Sequence, residues 1–261
     1  MHYCTGAQRD PSTSLRFAQD DSALTLHPLA NHMLSDIIVA GGSSQRMGFD
    51  KLFAVIAGEP VIAHAIRAFE RATSISEIVV VAREQWHDEI KKIASGAGSK
   101  KIGAIVPGGE RRQDSVRAGL GRIDRDAKYV AVHDAARPLI TPEQIERAFE
   151  QCRVYGAAAL AQPVNDTLKR ANADLLVVSS VDRHQLYAMQ TPQIFERKLI
   201  EDAYRGVYAE NASVTDEVSA VERLGHKIAL VVNDDFNFKI TYPRDLPVAD
   251  FILRERAKDR R

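Results

Sequence analysis

Ile37-Ile38-Val39-Ala40-Gly41-Gly42-Ser43-Ser44-Gln45-Arg46-Met47-Gly48-Phe49-Asp50-Lys51 joins a short apolar run to paired glycines and then to two cations. The β-branched start predicts a strand, and the lack of polar alternation predicts one covered on both faces. Adjacent glycines let backbone N–H groups approach an anion as a concave nest, and Arg46 and Lys51 add the charge a bare nest lacks. The spacing is neither Gly-x-x-x-x-Gly-Lys-Ser/Thr nor Gly-x-Gly-x-x-Gly. Taken alone, the stretch reads equally well as a phosphate loop or as an ordinary glycine-rich turn with two solvated cations.

Downstream the sequence alternates apolar runs with amphipathic stretches. Helices are expected at Val61 to Ala72, Gln85 to Ala94 and Gln113 to Ile123, and strands at Ile78 to Val81, Ile102 to Val106 and Tyr129 to Val132. This rhythm predicts an α/β fold with a doubly wound, mostly parallel sheet. Thr141-Pro142-Glu143-Gln144 combines an N-cap, a first-turn proline and a capping-box Gln, so a helix starts there and runs to about Val154. Ala157 to Ala161 reads as a fifth strand. Over 163–192 the rhythm breaks into Thr167 to Arg170 and Leu175 to Val178 around the polar turn Ala171 to Asp174. This is expected to be a protruding β-hairpin arm, and because a lone ribbon is marginal in water, it predicts a homodimer. Ile194 to Tyr204, Thr215 to Leu224 and Pro243 to about Glu255 are expected to be helices, and Ile228 to Val232 a strand.

Composition narrows the function. With 35 basic and 35 acidic side chains, no global field favours nucleic acid or a membrane surface. No apolar run approaches the roughly 20 residues that span a bilayer. Cys4 and Cys152 are the only cysteines, too few for a disulfide framework or a Cys-ligated zinc, which fits a cytoplasmic protein. Residues 1–33 lack the apolar stretch of a secretory signal and are expected to be a disordered extension, or an upstream start ahead of Met33. One nucleotide-sized domain is expected over 34–256, followed by a charged tail at 257–261.

Two further clusters carry candidate chemistry. His133-Asp134-Ala135-Ala136-Arg137-Pro138 lies at a strand's carboxyl end, where open α/β sheets place ligands. Asp134 could hold Mg²⁺ together with substrate phosphates, or merely pair with Arg137. His133 reads as a packing residue. Gly108-Gly109-Glu110-Arg111-Arg112-Gln113-Asp114-Ser115 enters a helix whose N–H groups could bind an anion or a base carbonyl, with a Ser115 hydrogen bond. A plain capped helix with exposed arginines explains it as well. Thr215 is most simply an N-cap, Arg183 a surface cation and Lys239 a stem packed along the sheet.

In this order, the segments resemble the 2-C-methyl-D-erythritol 4-phosphate cytidylyltransferases, over about Asp36 to Leu253. The matches are the Ala40 to Met47 loop, Lys51, Gly108 to Val116, His133 to Pro138, Asp166 to Arg170, Val181-Asp182-Arg183, Thr191-Pro192-Gln193, Thr215-Asp216-Glu217 and Lys239-Ile240-Thr241. The resemblance implies a Rossmann-like nucleotidyltransferase fold and transfer of CMP from CTP to 2-C-methyl-D-erythritol 4-phosphate, releasing pyrophosphate, in isoprenoid precursor synthesis, with Mg²⁺ as cofactor. It implies catalytic roles for Arg46 on the β- and γ-phosphates and for Lys51 and Lys239 on the α-phosphate. The nucleotide would be held by Ala40, Gly41, Gly42, Gly108, Gly109, Ser115, Asp134 and Ala135, with the Gly108-Gly109 turn and Ser115 reading cytosine. The acceptor pocket would be Arg137, Thr167, Arg183 and Thr215, the arm residues reaching a neighbouring subunit's site.

The chain departs from that pattern at Ser43-Ser44-Gln45, where many relatives carry Gly-x-Gly-Arg, and between Arg46 and Lys51, where it is shorter than some of them. Phe236 stands where relatives often have a second metal-binding carboxylate, which leaves Asp235 or Asp234 as the substitute. Rival readings are a cytidylyltransferase for another polyol phosphate, such as ribitol 5-phosphate, and a catalytically silent nucleotide-binding protein.

Overall fold

The opening run does form a strand, β1 (Leu34–Ala40), and it is buried on both faces. In the computed structural model, which describes residues 34–42 and 47–259, Leu34, Ile38 and Ala40 join one hydrophobic core and Ile37 the other. The extension expected over 1–33, and Ser43, Ser44, Gln45 and Arg46 of the loop, lie outside the described residues.

After β1 come a two-residue ribbon, β2 (Val55–Ile56) and β3 (Glu59–Pro60), then α1 (Val61–Arg71), β4 (Ile75–Ala82), α2 (His87–Gly96), β5 (Ile102–Pro107), α3 (Arg112–Leu120) and β6 (Tyr129–Asp134). The second half holds α4 (Pro142–Tyr155), β7 (Ala157–Pro163), β8 (Leu168–Ala171), β9 (Val177–Val181), β10 (Tyr187–Glu196), α5 (Arg197–Ala209), α6 (Glu217–Glu222), β11 (Ala229–Val232) and α7 (Asp245–Lys258). Seven strands form the main sheet in the order β11-β7-β10-β6-β1-β4-β5. All neighbours are parallel except β10, which runs antiparallel to both β6 and β7.

The two cores lie on opposite faces of this sheet. Ile62, Ile66 and Phe69 of α1, Ile90 of α2, Ile145 and Phe149 of α4 and Ile252 of α7 fill one. Val116 and Leu120 of α3, Ile200 and Val207 of α5 and Val221 of α6 fill the other. A sheet covered on both faces is what the continuous apolar strands required. From β1 the chain winds outward to β4 and β5, then returns to β6 on the other side of β1. That reversal opens a crevice at the carboxyl ends of β1 and β6.

Two expectations need correction. Ile194 does not begin a helix, because Ile194 and Phe195 are fully buried in β10 and face opposite cores; the helix starts at Arg197. An apolar run covered on both faces has no period that separates strand from helix. Thr215 is not the N-cap of α6. Asp216 takes that place, its Oδ1 accepting from Ser219 N–H at 3.0 Å. The closing helix also reaches Lys258, into the expected tail, with Arg254 paired to Asp250 and Lys258 to Glu255 along it. Between β7 and β10, β8 and β9 form a separate antiparallel ribbon whose Leu175, Leu176, Val177 and Val178 are all exposed.

Candidate active site

The crevice holds a cleft of about 660 Å³ lined by Ala40, Gly41, Gly42, Lys51, Gly109, Ser115, Asp134 and Lys239, eight of the sequence-derived residues. Gly108 and Ala135 are tied to its floor: Gly108 N–H donates to Ala82 O at 2.9 Å and Ala135 N–H to Val39 O at 3.0 Å. Asp50 caps the short turn Lys51–Phe53 by accepting from Leu52 N–H, which sets Lys51 at the mouth.

The glycines are needed for shape. A Cβ on Gly109 would lie 2.3 Å from Asp114 Cβ, and one on Gly108 would lie 3.0 Å from Ser115 Oγ. Ser115 Oγ itself accepts from Gly109 N–H at 3.1 Å, so the hydroxyl braces the turn. The start of α3 is closed by Asp114, whose carboxylate accepts from Arg111 N–H.

Asp134 is the electrostatic centre. It is 7% exposed, with Oδ1 accepting from Arg112 Nε at 3.1 Å and Oδ2 from Lys239 Nζ at 2.7 Å. Burial opposes its ionisation, but Arg112, Lys239 and Arg137 outweigh burial and hold it far below the usual carboxylate range. Lys239 is brought there because Ile240 N–H donates to Ala136 O at 2.8 Å, laying the 237–241 segment along the loop that follows β6. Lys51 reaches the same place from across the cleft, its Nζ donating to Ile240 O at 2.6 Å.

Beneath the cleft, a directional hydrogen-bond chain fixes the loop. Asp134 N–H donates to Thr191 Oγ1 at 3.1 Å, and His133 Nε2 lies 3.2 Å from Arg137 O. A carbonyl only accepts, so Nε2 carries the proton and Nδ1 accepts from the Thr191 hydroxyl at 3.1 Å. Burial pushes the His133 pKa down to about 3, so the ring is neutral near pH 7 and offers no charge to catalysis.

Among the described residues, Arg137, Thr167, Arg183, Thr215 and Asp235 do not line this cleft. Arg137 is tied to backbone, its Nη1 donating to Asn237 O at 2.7 Å and Nη2 to Met189 O at 3.3 Å. Thr167 and Arg183 are exposed near the ribbon, Arg183 Nη1 donating to Asn165 O, and Thr215 is exposed ahead of α6 with its hydroxyl 3.2 Å from Ser219 Oγ. Asp235 does not join Asp134: it lines a different hollow, with Asp234 and Glu143, and is paired to Arg256 of α7 at 2.7 Å. Among the described residues there is no cluster of three or more His, Cys, Asp or Glu able to cage a metal.

Sequence reasoning passed over Arg83, which follows β4 into the cleft, and Arg112. Arg112 was readable only as an exposed helix residue, yet it bridges Asp134 and the fully buried Glu217, donating to Glu217 Oε1 at 2.6 Å. The available signal was its place in the Gly-Gly-x-x-Arg run at a helix start.

The family model described as 2-C-methyl-D-erythritol 4-phosphate cytidylyltransferase matches residues 34–255. The relative so named from Caldanaerobacter subterraneus subsp. tengcongensis is 42% identical over 225 residues, covering 85% of this chain and 99% of its own length. The chloroplastic one from Oryza sativa subsp. japonica is 36% identical over 225 residues, covering 85% and 75%. Among solved structures, 4-diphosphocytidyl-2C-methyl-D-erythritol synthase from Anaerococcus prevotii superposes with a TM-score of 0.75 at 30% identity, over 85% of this chain and 96% of that one. The Thermus thermophilus 2-C-methyl-D-erythritol 4-phosphate cytidylyltransferase gives 0.71 at 28%, over 85% and 99%.

Proposed function

The chain belongs to the 2-C-methyl-D-erythritol 4-phosphate cytidylyltransferase family and transfers CMP from CTP to that acceptor in isoprenoid synthesis; we propose that the Asp134 cleft is where it does so. The observation that carries this assignment is the convergence of two ammonium groups from distant segments. Lys51 bonds the carbonyl of the residue that follows Lys239, while Lys239 bonds Asp134.

The chemistry asks for little else. A phosphate monoester, with a second pKa near ~6, is already largely dianionic at neutral pH and needs no general base. The obstacle is charge: two polyanions must meet, and charge builds on the α-phosphate during in-line displacement. Lys51 and Lys239 take the α-phosphate oxygens, Lys239 exchanging Asp134 for substrate. The resemblance assigns Arg46 to the β- and γ-phosphates. The Gly41-Gly42 and Gly108-Gly109 turns and Ala135 present backbone to the nucleotide, and Ser115 shapes the base pocket.

Mg²⁺ accepts one or two carboxylates plus phosphate oxygens and water. Asp134 presents one buried carboxylate at the cleft, and its partner Lys239 is 40% exposed. These residues fit an ion that arrives with the triphosphate, which Asp134 would hold, while Asp235 is held away by Arg256. Bound there, Mg²⁺ would supply Lewis-acid neutralisation of phosphate charge.

The acceptor pocket is completed between subunits. The exposed apolar ribbon favours packing on a second copy, and Thr167 and Arg183 stand near it, outside their own chain's cleft. Thr215 and the loop braced by Arg137 supply the acceptor side from within the chain. The cytoplasmic location rests on cysteine usage, the sequence holding only Cys4 and Cys152.

Pyrophosphate release from CTP tests the assignment, with methylerythritol phosphate, ribitol 5-phosphate or a sugar 1-phosphate as acceptor. Release with methylerythritol phosphate alone is expected; equal release with ribitol phosphate would overturn the acceptor. Co-expressed Lys51→Ala and Arg183→Ala subunits, each inactive alone, are expected to regain activity as mixed dimers. No regain would overturn the shared pocket.

A further inference from the structure

Arg112 and Glu217 form a buried ionic bridge beside the cleft, and the role assigned to Asp134 does not by itself require it. Glu217 is fully buried at the first residue of α6, two positions after Thr215. Its Oε1 accepts from Arg112 Nη1 at 2.6 Å and from the Tyr204 hydroxyl at 2.9 Å. The backbone around it is pinned by Gln193 of β10, whose Oε1 accepts from Glu217 N–H and Val218 N–H at 3.1 and 3.0 Å. The amide of the same Gln193 donates to Asp216 Oδ2 at 2.8 Å. The segment directly after Thr215 is thus anchored both to the sheet, through Gln193, and to Arg112, through Glu217.

The geometry at Arg112 is selective. Guanidinium and carboxylate ordinarily meet fork to fork, two N–H groups on two oxygens. Here Nη1 is committed to Glu217, and both Nε and Nη2 fall on the same oxygen of Asp134, Oδ1, at 3.1 Å. Asp134 Oδ2 is therefore left for Lys239. A fully buried carboxylate carrying its charge has no access to water and is tolerable only beside a fixed counter-charge, so the bridge is a rigid element.

We propose that Glu217 is a positioning residue: by holding Nη1 of Arg112 it keeps the guanidinium on Oδ1 alone, so that Oδ2 of Asp134 stays directed into the cleft. The same bridge ties the Thr215 loop of the acceptor side to the carboxylate of the nucleotide side. Without the Glu217 charge, Arg112 turns to grip both oxygens of Asp134, and Lys239 loses the partner that places it near the α-phosphate.

This inference rests on the assignment of the cleft to CTP, and a double-mutant cycle separates the two. Glu217→Gln preserves shape and an acceptor for Tyr204 and removes only the charge. It is expected to lower kcat by about 10-fold to 100-fold, within the range of couplings between contacting network residues, with KM for CTP changed less than about 3-fold. Adding Glu217→Gln to Asp134→Asn is expected to cost nothing further in kcat, because the carboxylate it positions is gone. A merely structural role would instead lower kcat by the same factor on both backgrounds, and that additivity would overturn the proposal. Should Glu217→Gln fail to fold, Glu217→Asp, which withdraws the charge from Arg112, reads out the same cycle. If Asp134→Asn alone kept wild-type kcat, the cleft assignment would be the one to fall.

Discussion

Replacing Lys239 with Met separates catalysis from stability, because the structure assigns very different sizes to the two effects. Met keeps the apolar stem and removes only the ammonium group. Lys239 is 40% exposed, so its ion pair with Asp134 is partly screened and worth at most about 1 kcal/mol. Asp134 keeps Arg112 as a counter-charge, so it remains ionised and the loop after β6 keeps its shape. In a domain of this size about 1 kcal/mol corresponds to a Tm shift of roughly 2–4 °C. At the transition state the same ammonium group faces developing charge inside a cleft, and loss of such a donor typically costs about 10²–10³ in kcat, or about 2.7–4 kcal/mol. Lys239→Met is therefore expected to melt within a few degrees of wild type while losing at least about 100-fold in kcat. The assay is pyrophosphate release at saturating CTP and acceptor, with a thermal melt on the same preparation. A kcat within about 3-fold of wild type would remove Lys239 from the reaction, and a collapse in Tm would recast it as a structural ion-pair member.

Lys51→Ala is expected to lose about 10²–10³ in kcat with little change in Tm, since water can replace its bond to the Ile240 carbonyl; unchanged turnover would exclude a catalytic role. Gly109→Ala places a methyl 2.3 Å from Asp114 Cβ, so the turn must shift. Raised KM for CTP and lowered Tm are expected, and unchanged values of both would show that the turn yields freely. Asp36 is fully buried in β1, its carboxylate oxygens have no hydrogen-bond partner among the described residues, and burial raises its pKa well above the ordinary 3.8. The folded state therefore binds this proton more tightly than the unfolded chain does, and stability falls as pH rises above the unfolded value. Asp36→Asn is expected to raise Tm at pH 8, with the gain shrinking towards pH 4; a pH-independent difference would contradict that sign.

What could be read from the sequence was what local chemistry dictates. The capping box at Thr141 is present as read, with Thr141 N–H donating to Gln144 Oε1 at 3.0 Å and Gln144 N–H to Thr141 Oγ1 at 3.3 Å. The Gly41-Gly42 and Gly108-Gly109 turns border one cleft because each follows a parallel strand, and such strands share a carboxyl edge. β10 was not legible, since its place is set by pairing with β6 and β7 and not by any period in Tyr187 to Glu196. Glu217 reads locally as an acidic residue in a helix's first turn, and its role depends on an arginine 105 positions away. Asp235 looked like a metal ligand only because it neighbours Asn237 and Lys239 in the chain. In space Arg256, on the closing helix, takes it elsewhere.

The most direct test of the Asp134 cleft as the site of CMP transfer is a crystal structure of the chain with CTP bound, read for the distances from Lys51 Nζ and Lys239 Nζ to the α-phosphate oxygens. Both are predicted within hydrogen-bonding reach, about 2.7–3.2 Å, with the cytosine against the Gly108-Gly109 turn. A triphosphate whose α-phosphate lay beyond the reach of both lysines would remove them from the reaction.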